Sequence, residues 1–349
     1  MSENEKKNTS AIEIDLNTKG TAFQLAKQIK SDIDEYCEKK FDDGFRWHLG
    51  ASLIGHECKR YLFYVFRWCF KENFDGRMQR LFNRGHREEE RFIEWLEGIG
   101  FTVYVDDWSN WSLYWHNESD SYFIDKKDID LHAGGYDLVD VTDNETHRKI
   151  AKAMGVKFKQ YRISEVNGHF GGSLDGIAVA PERYGLKEPL LLEFKTNGTG
   201  AGYTKLVNSG IQLAKPVHFS QMSTYGTNPA YGFKYGLYLN TNKNDDDIHV
   251  EIVFLNEELG KQNIVKAEKI IFSETPPPRL SENPTFHKCQ YCAAKDICHT
   301  GALVNRNCRS CKFSKPVENA EFYCTIHNGI IPRDYIMTTC DKYSSINDD

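Results

Sequence analysis

The tightest constraint in this chain is the run Leu190-Leu191-Leu192-Glu193-Phe194-Lys195-Thr196, where an acid and a base interrupt an otherwise apolar stretch. Short apolar runs bounded by Gly, Pro or charged turns are how strands buried in a sheet look in sequence. Side chains alternate between faces along a strand, so Glu193 and Lys195 share one face and Phe194 takes the other. A second run, Ser173-Leu174-Asp175-Gly176-Ile177-Ala178-Val179, precedes it, and a pairing of the two strands brings Asp175 to meet Glu193. Hard cations such as Mg²⁺ and Mn²⁺ are held by one or two carboxylates, with waters and phosphate oxygens completing the shell. Such an ion acidifies a bound water and stabilises charge on a phosphate under attack. Lys195 adds a compact positive charge beside it. The same residues also fit a plainer alternative, in which Asp175 opens a turn before Gly176 and Glu193 and Lys195 form an exposed strand pair.

Two further stretches fall at helical spacing. Pro216 suits a first helical position, and after it His218, Gln221 and Tyr225 lie three and four residues apart, on one helix face. That face suits hydrogen bonding to a nucleic-acid backbone or to a water on the metal. Upstream, Gly85-His86-Arg87-Glu88-Glu89 opens an amphipathic segment whose apolar stripe is Phe92, Ile93 and Leu96. Glu89 precedes Phe92 and Ile93 by three and four residues and is expected to point inward, where an unpaired carboxylate is costly.

Taken in this order, Gly85 to Glu89, Gly172 to Gly176, Glu193 to Lys195 and Gln221 to Tyr225, the chain resembles the PD-(D/E)XK nuclease superfamily, in its RecB-like exonuclease branch. The resemblance implies an α/β fold with a restriction-endonuclease-like core, a central mixed sheet flanked by helices. It implies metal-binding carboxylates at Asp175 and Glu193, a helix ligand at Glu89, a catalytic lysine at Lys195, and substrate-contacting Gln221 and Tyr225. Some relatives carry His at the helix position, and here His86 directly follows Gly85, so His86 stands as the alternative to Glu89.

Cysteines supply a second resemblance. Cys58 stands before the core, and Cys289-Gln290-Tyr291-Cys292 followed after five residues by Cys298 stands behind it. The iron–sulfur members of the RecB-like branch share this layout, which implies a [4Fe–4S] cluster on Cys58, Cys289, Cys292 and Cys298 that clasps the two ends of the core. Zinc is the alternative for the same thiolates, with His287 or His299 in place of Cys58. A separate set, Cys308-Arg309-Ser310-Cys311 with Cys324 and Cys340 and with His327 between them, carries a zinc-type spacing. Cys69, inside an aromatic run, reads as a buried small hydrophobe.

With 349 residues, the chain is long enough for one nuclease-sized core and a small appendage. The expected organisation is a polar leader with one helix (1–49), the core (50–275) with an insertion at 106–156, a cluster clasp (276–304) and a Cys-rich metal-binding tail (305–349). Helices are expected near 23–37, 50–70, 77–99, 144–154, 203–213 and 257–272. No apolar run is long enough for a membrane span, and cysteines at metal-type spacing without an export signal point to a reducing cytoplasm. The formal net charge of −6 argues against nucleic acid, but binding depends on where charge sits. Lys59, Arg60, Arg84 and Arg87 lie in a locally basic stretch with Tyr61, Phe63, Tyr64, Phe66 and Trp68, a mixture that suits a DNA backbone with base stacking; a solvated basic helix face fits it as well.

The resemblance thus implies an Mg²⁺- or Mn²⁺-dependent exonuclease acting on DNA ends, in recombination, repair, phage replication or CRISPR-related processing, with a partner protein from such a pathway. The alternative is a catalytically silent DNA-end-binding subunit of a larger complex.

Overall fold

The computed structural model describes residues 19–107, 111–116, 118–126, 136–139, 149–150, 153–155, 158–198 and 200–347. Along the chain run α1 (Lys19–Lys40), β1 (Leu49–Gly50), α2 (Lys59–Phe66), α3 (Gly76–Gly98), β2 (Thr102–Tyr104), β3 (Trp111–His116), β4 (Ser121–Lys126), β5 (Tyr136–Val139), β6 (Arg162–Glu165), β7 (Phe170–Ser173), β8 (Gly176–Val179) and β9 (Leu190–Asn197). There follow α4 (Ala201–Ala214), α5 (Pro216–Gly226), β10 (Tyr235–Asn242), β11 (Ile248–Phe254), α6 (Glu257–Ile271), α7 (Lys295–His299), β12 (Ser314–Pro316), β13 (Phe322–Cys324) and β14 (Gly329–Ile330).

The main sheet has the order β11-β10-β9-β8-β2. β9 and β10 are parallel, and the other neighbours are antiparallel. Parallel neighbours need a long crossover, and α4 and α5 occupy it. The fold is therefore mixed α/β.

β9 is buried on both faces, which is why it reads as a nearly continuous apolar run. On one face Leu190, Leu192 and Phe194 join Phe92 and Leu96 of α3 and Val103 of β2; Phe92 stacks on Phe194 with ring centroids 5.0 Å apart. Leu191, on the other face, belongs to the cluster that contains Phe219 and Met222 of α5. Alternation carries Glu193 and Lys195 to that second face. α5 has Pro216 in its first turn and is buried without a break from Phe219 to Tyr225. It is held from behind by Asn263 of α6, whose Nδ2 donates to the Ser220 carbonyl (3.2 Å) and the Thr224 hydroxyl (3.0 Å). α6 itself is capped by Asn256, whose side chain accepts the Leu259 N–H at 2.9 Å.

Several expectations need correcting. The run 173–179 is not one strand: β7 ends at Ser173, β8 starts at Gly176, and Leu174 and Asp175 lie between them. The helix expected over 50–70 is β1, a short 3₁₀ turn at Ala51–Leu53 and α2. The insertion 106–156 holds an antiparallel sheet of order β4-β3-β5; most of the helix expected from Asn144 to Met154, with its cap at Thr142 or Asp143, lies outside the described residues. The tail contains a small sheet, β12-β13-β14, that short polar strands did not announce.

Two compact units divide the chain. Of the described residues, one takes in 19–43 together with Asn73–Arg84. In it Arg80 pairs with Asp34, and the Glu38 carboxylate accepts the Gly76 N–H at 2.8 Å. The other comprises Gly44–Glu72 and Gly85–Asp349 and holds the sheet described above. Among the described residues no helix is long and apolar enough to cross a membrane.

Gly260 of α6 lies where a Cβ would run into the Ser223 carbonyl and the Thr227 hydroxyl. Gly260→Ala is expected to destabilise by about 1–3 kcal/mol, whereas Gly20→Ala, with nothing within 4 Å, is neutral or stabilising. Urea unfolding of both variants checks this; equal stabilities contradict the packing.

Candidate active site

Glu193 is fully buried. Its Oε1 lies against the Lys195 ammonium as an ion pair, and its Oε2 accepts from Gln221 Nε2 at 3.0 Å. Beyond that ion pair Oε1 has no hydrogen-bond partner. Gln221 Nε2 also reaches the Tyr225 hydroxyl at 3.4 Å, one helical turn on. That hydroxyl occupies the space a Cβ at Gly172 would need, so β7 must carry glycine there. Asp175, just before β8, accepts the backbone N–H of Phe194 at 2.7 Å. This bond fixes its carboxyl on β9 beside Glu193 and Lys195.

The charges are strongly coupled. Burial pushes Glu193 up from an ordinary 4.5 to about 7; Lys195 opposes the rise, and Asp175 and Glu89 add to it. Burial raises Asp175 too, again against Lys195 and with the help of Glu89. Burial works against the Lys195 ammonium, but Glu193 and Asp175 outweigh it and hold its pKa above the usual lysine value. His218 is pushed down to about 3 by burial and by Lys195 and Lys215, so its imidazole is neutral at ordinary pH.

Glu89, Asp175, Glu193, Lys195, Gln221 and Tyr225 are thus brought into one locality. Glu89 is not the inward acid of its helix. Glu88 is the buried one, with both oxygens accepting from Arg91 at 2.9 and 2.7 Å, and Glu89 sits at the rim, its side chain 34% exposed. His86 is largely exposed and pairs with Glu89 at 3.4 Å.

Two residues were not singled out as site residues from sequence. Tyr238 of β10 lies in register with Glu193; it accepts from Asn240 Nδ2 at 3.1 Å and shares a 3.1 Å hydrogen bond with His218 Nδ1. The signal was the alternation Leu237, Tyr238, Leu239, Asn240, which puts the polar pair on the face of Glu193 and Lys195.

The aromatic residues of the basic stretch are mostly inside the fold. Phe63, Tyr64, Phe66 and Trp68 are core residues. Arg60 donates to the Tyr64 hydroxyl (2.9 Å) and the Pro277 carbonyl (3.1 Å). Lys59 and Arg87 are exposed, and Arg84 is an exposed member of the other compact unit.

Cys58, Cys289, Cys292 and Cys298 all line one small cavity of about 20 Å³, with His56 and His299. Cys58 caps α2, its Sγ accepting the Tyr61 N–H at 3.4 Å. Lys288 donates to both oxygens of Glu57 at 2.5 Å, which closes the clasp between the two distant stretches. Cys308, Cys311, Cys324 and Cys340 line a second cavity with His327. Cys69 is fully buried, and burial pushes its thiol up to about 12, as befits a small hydrophobe.

Among the described residues no three His, Cys, Asp or Glu side chains already stand as a formed metal site. Lys195 occupies Glu193. The donor chemistry nevertheless suits metals: a buried carboxylate oxygen without a directed partner at the acids, and four thiols on one cavity at the clasp.

No family model matches the chain, and no curated protein matches it. Among solved structures it is similar to one described as "Crystal structure of SSO0001", at 13% identity over 80% of this chain and 99% of that one, with a TM-score of 0.38.

Burial of Glu193 makes the stability of the fold depend on pH. Its folded pKa exceeds the unfolded one, so the folded chain holds the extra proton and stability falls as pH rises from about 4.5 to about 7. In metal-free protein, infrared spectroscopy should show a protonated-carboxyl band that disappears with a midpoint near 7 and is absent from Glu193→Gln. A midpoint in the ordinary carboxylate range contradicts the burial argument.

Proposed function

We propose that this protein is a metal-dependent deoxyribonuclease acting at DNA ends, a RecB-like exonuclease on a restriction-endonuclease-like core. One observation carries the reading: Asp175 and a fully buried Glu193, from separate elements, converge with an ammonium at one place. A structural role alone gives no return for setting Asp175 beside a fully buried Glu193, because its charge helps raise the Glu193 pKa.

Asp175 and Glu193, with Glu89 at the rim, are the residues to hold Mg²⁺ or Mn²⁺. Bound there, such an ion supplies charge stabilisation to a phosphodiester and acidifies water for its hydrolysis. Lys195 stays protonated because the two acids hold its proton, so it acts as a fixed positive charge that neutralises phosphate and orients the attacking water, and not as a base. Gln221 is a positioning residue: its amide holds Glu193 Oε2, and Tyr225 in turn accepts from that amide. Neutral His218, joined to Tyr238, adds no charge that would compete with the cation.

By the same reading, Cys58, Cys289, Cys292 and Cys298 hold a [4Fe–4S] cluster, which ties α2 to the segment behind the core. Four thiolates are the usual ligand set of such a cluster.

Purified protein incubated with linear and with circular DNA tests the proposal. Linear DNA is expected to be degraded with Mg²⁺ or Mn²⁺ and spared with EDTA, circular DNA to be spared throughout, and Asp175→Ala and Lys195→Ala to lose about 10²-fold or more in rate. Binding of DNA ends without turnover contradicts an enzyme. Protein purified without oxygen should be brown, with Cys58→Ala and Cys292→Ala colourless; a colourless, zinc-loaded native chain contradicts the cluster.

A further inference from the structure

Two guanidinium groups are buried where no carboxylate answers them. Arg67, at the end of α2, and Arg309, between two cysteines of the tail, are 1% and 0% exposed. Arg67 Nη2 donates to the carbonyls of Cys311 (2.7 Å) and Ser314 (2.9 Å). Arg309 lies among the rings of Phe66, Trp68 and Phe322, its Cζ 4.6, 4.2 and 4.6 Å from their centroids. It donates to the carbonyls of Trp47, at 3.0 Å, and of Phe66. The Nε of each has no partner, and among the described residues no Asp or Glu forms an ion pair with either. Carbonyls satisfy donors but leave net charge in place, and an uncompensated buried cation is costly.

Both arginines belong to segments that carry or hold the tail cysteines. Cys308 and Cys311 flank Arg309 in sequence, and Arg67 holds the carbonyl of Cys311 itself. Cys324 ends β13, and the hairpin to β14 returns His327, whose backbone N–H donates to Cys324 Sγ at 3.5 Å. The last segment is stitched back by the Cys308 N–H to the Ile336 carbonyl (2.9 Å) and by the bridge between Cys311 and Ser345. Cys340 thereby reaches the same place, with its Sγ 3.5 Å from His327 Nε2. All four sulfurs open onto one cavity of about 350 Å³, which Cys69 does not line.

We propose that Cys308, Cys311, Cys324 and Cys340 hold one structural Zn²⁺, with His327 as an outer donor to the sulfurs and Arg67 and Arg309 as the counter-charge of the centre. Four thiolates around a divalent cation leave two negative charges, and the two guanidiniums balance them. The sulfurs line the cavity without yet forming a closed site; zinc takes the place of four thiol protons, which go to solvent, and draws the sulfurs into the four-coordinate arrangement of structural zinc. The backbone N–H of His327 on Cys324 is the kind of second contact that orients a metal-bound thiolate. The inference is independent of the nuclease reading.

The test uses the full chain, reconstituted with zinc and counted by elemental mass spectrometry, with Co²⁺ in parallel. Cys340 is exposed, so Cys340→Ser spares the core. It should lose one zinc equivalent and the visible bands of tetrahedral thiolate-bound Co²⁺, while the iron content is unchanged. Unchanged zinc in Cys340→Ser and in Cys324→Ser overturns the site; zinc lost in His327→Ala as fully as in Cys340→Ser overturns the ligand set. Arg309→Met keeps the side chain's bulk and removes its charge. It should release zinc to a chelator at least tenfold faster, as should Arg67→Met, and release at the native rate in both overturns the counter-charge role.

Discussion

Everything near the acids depends on one unfavourable placement, a carboxylate buried in the central strand of a mixed sheet. Glu193 sits between neighbours on both sides, with Leu192 and Phe194 turned into one core and Leu191 into the other. Leaving that carboxylate uncompensated would be costly, so the surrounding elements are arranged around it. Lys195 supplies charge two residues on, α5 supplies an amide from Gln221, and α6 holds α5 by way of Asn263. Even Gly172 belongs to the arrangement, since the Tyr225 hydroxyl that backs Gln221 needs its missing side chain. The compensation is incomplete, and Glu193 keeps a raised pKa and an oxygen without a directed hydrogen bond. In the proposed reading a divalent cation, with its charge and preference for oxygen, answers that deficit.

A similar logic runs through the cysteine-rich regions, where thiols from distant parts of the chain line common cavities. At the clasp, Cys58 precedes α2 and its three companions follow it by more than two hundred residues, so contacts there close a long loop. In the tail, the sheet β12-β13-β14 is too small to bury a core of its own, and small modules of that kind depend on cross-links or metals. In the proposed zinc centre, the two buried guanidiniums of Arg67 and Arg309 supply the balancing charge that no carboxylate provides.

Much of the site was legible because its signals are local. The polar interruption of an apolar run at Glu193 and Lys195, the helical spacing of Gln221 and Tyr225 behind Pro216, and the helix from Glu257 all reflect short-range periodicity. The break at Leu174 and Asp175 was not legible, since Gly171 to Val179 reads as one continuous apolar stretch and only the pairing partners, β6 for one half and β9 for the other, divide it. Glu88 and Glu89 exchange burial because a neighbour, Arg91, pairs with Glu88, which spacing to Phe92 alone does not reveal. α2 starts later than expected because its cap is a thiol, Cys58, where sequence rules look for Ser, Thr, Asp or Asn. The burial of Arg67 and Arg309 is wholly a property of tertiary structure, as arginine in sequence reads as surface.

The central claim is that Asp175, Glu193 and Glu89 surround one cation beside Lys195. The most direct measurement is an anomalous difference map from crystals of the full chain grown with Mn²⁺. One strong peak bound by the carboxylates of Asp175 and Glu193, with Glu89 turned toward it and Lys195 drawn off Glu193, is the expected result. Crystals at saturating Mn²⁺ with no peak there, and with Lys195 still seated on Glu193, would contradict it.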